Sequence, residues 1–227
     1  WQTILRKKLP SGSQPDSLDI VHIKMITAVE ELDLSINFFI QNIEPLARLL
    51  QLTSLNLSGT NVSDLTPIRN LTELTTIDLS RSKITDLTPL KYSSKLLSLN
   101  ISHSRISNIS VVEKMPGLHE VYMNGVSVSD FSPLAFLTKL CKARLSTTKI
   151  ANLSPFENLT LLTELDVSGS AIQNLDPLGN LKNLKILDID STRISNIDAL
   201  SKIEGLTSLH ADYTSITSLV PLQKLVH

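Results

Sequence analysis

The chain has 227 residues, 41% of them apolar, and carries 21 Lys and Arg against 22 Asp and Glu, a formal net charge of −1. That balance excludes a global field drawing it to nucleic acid or anionic lipid. No apolar run approaches the roughly 18 residues of a spanning helix, so membrane insertion is not expected either. The single cysteine, Cys141, excludes an internal disulfide and points to a cytosolic or bacterial setting.

The first predicted elements are helical. Trp1, Ile4, Leu5 and Leu9 share one helical face, with Arg6, Lys7 and Lys8 off it. Residues Pro10 to Pro15 break the pattern. Asp16 is the N-cap of a second short helix carrying Leu18, Val21 and Met25. Residues 1–28 therefore read as a small helical cap, covering the first core layer of a repeat array.

From Val29 onward a 22-residue unit repeats nine times over residues 29–227, as one continuous domain. It restarts at Leu52, Leu74, Leu96, Leu118, Leu140, Leu162, Leu184 and Leu206, and the first copy carries one extra residue before Ile40. A period of this length with L-x-x-L-x-L spacing is the mark of a solenoid. Counting each repeat from its first Leu, positions 1, 4, 6, 11, 14, 17 and 20 are apolar almost throughout; in the second copy these are Leu52, Leu55, Leu57, Val62, Leu65, Ile68 and Leu71. Positions 4 and 6 share one face of a short strand, and 3, 5 and 7 face the other way. Position 16 is Pro in seven copies, from Pro45 to Pro221, which forbids a long α-helix and favours short 3₁₀ turns. Position 9 is Ser or Thr in most copies and Val126 in the fifth. The expectation is a hydroxyl ladder bonding the backbone at each bend, interrupted at Val126.

The segments Leu74–Leu90 and Leu162–Leu181 carry the pattern L-x-x-L-x-L-S-x-[ST]-x-[IV]-x-[DN]-L-x-P-[LIF]-x-N-L. Over about 200 residues the chain resembles the leucine-rich-repeat superfamily, in the 22-residue class of bacterial internalin-like proteins. The resemblance implies an α/β solenoid with parallel strands on a concave face and 3₁₀ turns on a convex one. It also implies protein recognition through the concave strands. The Ser/Thr ladder, and the lack of an immunoglobulin-like segment after the repeats, depart from internalins.

The same ruler isolates candidate binding residues. Position 5 reads Asp33, Asn56, Asp78, Asn100, Tyr122, Arg144, Asp166, Asp188, His210. Tyr122 and Arg144 stand out from a background of small Asx residues, with Glu120 and Lys142 beside them at position 3. Tyr and Arg are the types most often found as interface anchors. The plainer alternative is that Arg144 only pairs across to Asp166. Towards the C-terminus, Asp166, Asp188, Asp190 and Asp212 gather on one face, with His210 and Tyr213 beside them. Adjacent like charges are unfavourable. They are offset by water and nearby Arg144, Lys185 or Arg193, by a basic partner surface, or by a divalent cation.

No phosphate loop, nucleophile elbow, paired-Cys or H-E-x-x-H pattern occurs. The expectation is a monomeric, non-enzymatic protein-binding module without cofactor or metal. A bacterial surface or secreted protein is the first reading. A cytoplasmic adaptor, or the targeting arm of a larger effector enzyme, is the alternative.

Overall fold

The structure is a computed structural model, which describes residues 28–225. The cap expected over residues 1–28 lies outside them apart from Ala28.

One short strand per repeat forms a single parallel sheet in strict chain order. The strands are β1 (Glu31–Asp33), β2 (Ser54–Asn56), β3 (Thr76–Asp78), β4 (Ser98–Asn100), β5 (Glu120–Tyr122), β6 (Lys142–Arg144), β7 (Glu164–Asp166), β8 (Ile186–Asp188) and β9 (Ser208–His210). Every pair is in register at equal repeat positions, for example Leu55 opposite Ile77 and Asn56 opposite Asp78. A parallel pair needs a long crossover, and here the remainder of each repeat supplies it. The extra residue of the first copy leaves strand pairing intact, since Leu32 still faces Leu55. Its effect falls on the loop after β1, where Phe39 is 94% exposed and Ile40 packs against the core instead.

The apolar positions fill the interior. In the second repeat all seven are at most 1% exposed. Truncating any one to Ala removes contacts from two neighbouring layers as well as its own, at about 2–5 kcal/mol. The convex side is a row of 3₁₀ turns, from Glu44–Arg48 in the first repeat to Val220–Lys224 in the ninth, with Pro in the first turn of seven of them. Each turn is preceded by a side-chain oxygen at position 13 accepting the N–H two residues on. Asp64 to Thr66, Asp86 to Thr88 and Asn108 to Ser110 all do so at 2.8 Å. A short polar side chain there supplies an acceptor to a donor that has no helical partner.

Two features of the bend after each strand differ from, or add to, the sequence reading. The position-9 hydroxyls form a series only in part: those of Thr60, Ser82, Thr148, Thr192 and Thr214 donate within their own repeat, three residues back, whereas Ser104 Oγ accepts the Ile106 N–H at 3.4 Å and the buried Ser170 Oγ has no partner among the described residues. Thr60 bonds the Leu57 carbonyl at 2.7 Å, Ser82 that of Leu79 at 2.6 Å and Thr148 that of Leu145 at 2.7 Å. Val126 breaks the series as expected and is buried. Position 8 takes a left-handed conformation in all nine repeats, with φ between 54° and 64°. Only Gly59, Gly125 and Gly169 are glycines there; Ile36, Arg81, His103, Thr147, Ser191 and Tyr213 adopt the same φ under the constraint of the stacked bends.

Candidate functional site

The concave face is built from positions 3, 5 and 7. Backbone arithmetic sets what these side chains must do. In a parallel ladder the N–H groups of positions 6 and 8 donate to the next strand's repeat, as Leu57 does to Asp78 and Gly59 to Ser80, both at 2.8 Å. The position-7 N–H has no such partner, and a buried or half-buried donor must find an acceptor. The Asx residue at position 5 provides it. Asp33 accepts from Ser35 at 2.8 Å, Asn56 from Ser58 at 2.9 Å, Asp78 from Ser80 at 2.8 Å and Asn100 from Ser102 at 3.0 Å. The same bond joins Asp166 to Ser168 and Asp188 to Asp190, both at 3.0 Å. The Asp and Asn background is thus scaffold, and its sequence signal was the known habit of Asx side chains to bond two residues on.

Tyr122, Arg144 and His210 cannot make this bond. In all three repeats the preceding repeat's position-7 side chain takes over. Ser102 Oγ accepts the Asn124 N–H at 3.2 Å, Asn124 Oδ1 accepts that of Ser146 at 2.9 Å, and Asp190 Oδ1 accepts that of Asp212 at 2.6 Å. Position 5 is relieved of its backbone duty at these three rungs.

Around Tyr122 and Arg144 the structure gathers one connected cluster. The Tyr122 hydroxyl donates to Glu120 Oε2 at 2.9 Å, and Lys142 Nζ lies 5.8 Å from the Tyr122 ring centroid. Arg144 does not pair with Asp166. Its Nε and Nη2 instead reach Glu164 Oε1 at 2.7 and 2.6 Å, diagonally onto β7, while Lys142 Nζ holds Glu164 Oε2 at 2.8 Å. The reason is reach: the long Arg side chain overshoots the Asp directly opposite, whose Oδ1 is occupied by Ser168. Glu164, absent from the sequence-derived candidates, is the hub, and its position-3 place beside two cations was the signal available.

Charge states depend on these contacts. Burial pushes the Tyr122 hydroxyl up, the Glu120 bond adds to it, and its pKa reaches about 12. Burial also pushes Glu164 upward, but the bonds from Lys142 and Arg144 outweigh this and hold its carboxyl below the ordinary value. The Glu164 bond raises Arg144 further. The cluster is neutral in sum, and hydrogen bonds and ion pairs tie its side chains to one another.

Three of the four C-terminal acidic residues are tied into the backbone. Asp166, Asp188 and Asp190 each commit one oxygen to a backbone N–H. Asp188, Asp190 and His210 bring one possible ligand atom each within 4.8 Å of one another. His210 Nδ1 lies 4.0 Å from Asp188 Oδ2, and its Nε2 lies 3.1 Å from Ser208 Oγ. Burial raises the Asp188 pKa, with Asp166 and Asp190 contributing repulsion. Tyr213 is 90% exposed beside them. Cys141 is half-buried, its Sγ donating weakly to the Lys139 carbonyl at 3.4 Å. Among the described residues no helix is long and apolar enough to cross a membrane.

With this geometry in hand, comparison with known proteins is specific. The family described as Leucine Rich repeats (2 copies) matches residues 50–92 and 160–202. No curated protein sequence gives a significant match. Among solved structures, internalin F of Listeria monocytogenes superposes with a TM-score of 0.85 at 28% identity, covering 91% of this chain and 62% of that one. Internalin C2 of the same organism gives 0.64 at 25% identity, covering 90% and 80%. A leucine-rich-repeat protein of Leptospira interrogans gives 0.78 at 18% identity, covering 91% and 61%. This chain therefore spans less than two thirds of the internalin F structure. The fold is generally a protein–protein interaction module. With its nine in-register strands and 22-residue unit, the chain has the leucine-rich-repeat solenoid fold, with an internalin-like architecture.

Proposed function

We propose that the chain is the recognition region of a bacterial surface or secreted protein, holding a protein partner on the concave face around Tyr122 and Arg144. One observation carries this reading. At these two adjacent rungs the scaffold Asx is given up, and the orphaned N–H groups are passed to Ser102 and Asn124. A solenoid that keeps its backbone satisfied by a substitute route has freed those positions for large side chains, and Tyr and Arg are the anchors that interfaces favour. Glu120, Lys142 and Glu164 hold them still, so little side-chain entropy is lost on binding. The internalin-like architecture supports the bacterial setting. Catalysis is not part of this reading: the Tyr122 hydroxyl is held by Glu120 with its pKa raised to about 12, the opposite of the lowered pKa that activates a nucleophile.

The test compares wild-type chain with the Tyr122→Ala/Arg144→Ala double variant, both immobilised and exposed to the same host-cell surface proteins. A protein retained by wild type and released by the variant, at unchanged melting temperature, supports the reading. A partner held equally by both places the site elsewhere.

A further inference from the structure

The bend and flank between the concave strands and the convex turns, positions 8 to 12, are segregated by charge. They hold Arg81, Lys83, Arg105, Lys149 and Arg193, with His103, and no Asp or Glu in any of the nine repeats, although the whole chain has 22 acidic residues against 21 basic ones. All six side chains are exposed, because positions 9 and 11 turn inward and leave 8 and 10 outward. None of the five Lys and Arg residues makes an ion pair among the described residues. Asp64, Asp86 and Asp130 border the flank at position 13, their Oδ1 atoms held by the N–H groups of Thr66, Thr88 and Ser132, and none of them is in ion-pair contact with the row. The repeat places Lys83, Arg105, Lys149 and Arg193 at the same position of the third, fourth, sixth and eighth copies. At about 4.8 Å per rung they form a line roughly 24 Å long, parallel to the solenoid axis. Lys83 and Arg105 sit on neighbouring rungs and Lys149 and Arg193 follow at two-rung intervals past Ser127 and Ala171, so the basic charge is spaced along one line rather than packed at a point.

We propose that this flank binds a linear anionic polysaccharide, lying along the solenoid with its sulfate or carboxylate groups against the basic row. Linearity follows from the row itself. A nucleic-acid strand fits less well, since single-strand sites rely on successive aromatic stacking platforms and positions 8 to 12 in the third to eighth repeats hold no Phe, Tyr or Trp and a single imidazole, His103. The flank is also separate from the Tyr122 and Arg144 cluster, so this site stands or falls independently of the concave one.

The whole chain is titrated at low ionic strength with a heparin-derived oligosaccharide, and in parallel with a single-stranded oligonucleotide and a polyglutamate peptide of matched charge. The glycan is expected to bind and to weaken steeply with added salt. A Lys83→Gln/Arg105→Gln/Lys149→Gln variant is expected to lose about tenfold in affinity at unchanged melting temperature, while Tyr122→Ala/Arg144→Ala binds as wild type. Absence of glycan binding at low salt overturns the proposal, as does wild-type affinity in the triple variant. So does loss of glycan binding in the concave variant, or equal or tighter binding of the oligonucleotide or of polyglutamate.

Discussion

Asn124 Oδ1 accepts the backbone N–H of Ser146 from the neighbouring repeat at 2.9 Å, doing for that residue what Asp166 does for Ser168 within a single repeat. The bond makes Arg144 possible at position 5, and it predicts a coupling. Asn124→Ala leaves the half-buried Ser146 N–H without its acceptor and should destabilise the fold by about 1–2 kcal/mol. Arg144→Asp restores an acceptor inside the repeat, so in that background Asn124→Ala should be nearly neutral. A double-mutant cycle read by chemical denaturation measures this. Additive losses would mean that Asn124 stabilises through something other than the Ser146 donor.

Glu164 is the second fixed point. Its side chain is 16% exposed and accepts from both Lys142 and Arg144. Glu164→Gln leaves two cations facing one neutral amide and should cost about 1–2 kcal/mol at neutral pH. The sign of the pH dependence is set by its lowered folded pKa. Its contribution is present above the unfolded value of about 4.3 and is lost as pH falls through the lower folded value. Wild-type and variant melting temperatures should therefore converge in acid. A gap that persists at low pH would show that the carboxylate charge is not what stabilises the cluster.

These two cases show where the sequence was and was not legible. The period alone gave strand register, buried positions and the 3₁₀ turns, because a one-dimensional array repeats the same physical solution in every copy. It also drew attention to Tyr122 and Arg144. It could not show that Arg144 reaches diagonally to Glu164, since side-chain reach is not a property of spacing. Nor did it show that the Asp background at position 5 is scaffold, so Asp166 and Asp188 read as an unexplained acidic patch when each is half occupied by a backbone donor. The left-handed position 8 stayed hidden because glycine marks it in three repeats only, while six bulkier residues adopt it under constraint.

That position gives a third prediction. An added Cβ at Gly125, φ 64°, would lie 2.5 Å from His103 Nδ1, whereas at Gly59, with the same φ, the nearest atom is 3.6 Å away. Both Gly→Ala changes carry the left-handed penalty of about 1–2 kcal/mol, and only Gly125→Ala adds a clash. Gly125→Ala should therefore lower the melting temperature more than Gly59→Ala, and His103→Ala should recover the difference. Equal losses at the two sites would show that the His103 ring moves aside freely.

Tyr122 supplies the last prediction. Its pKa is raised from 10.0 to about 12 by burial first and by the Glu120 bond second. A group that is harder to ionise in the folded state stabilises the fold fully below its unfolded pKa. That contribution is then lost as pH rises from about 10 to about 12. Tyr122→Phe removes the hydroxyl, so the melting-temperature difference between wild type and variant should shrink or reverse across this window, cancelling the background from lysines and other tyrosines. Glu120→Gln keeps the ring but removes the charged acceptor, and should bring the Tyr122 ionisation, followed by tyrosinate absorbance, back towards 10. If Glu120→Gln leaves that titration where it was, the Tyr122–Glu120 bond does not persist in solution. The cluster would then lose the fixed orientation that the proposed recognition site depends on.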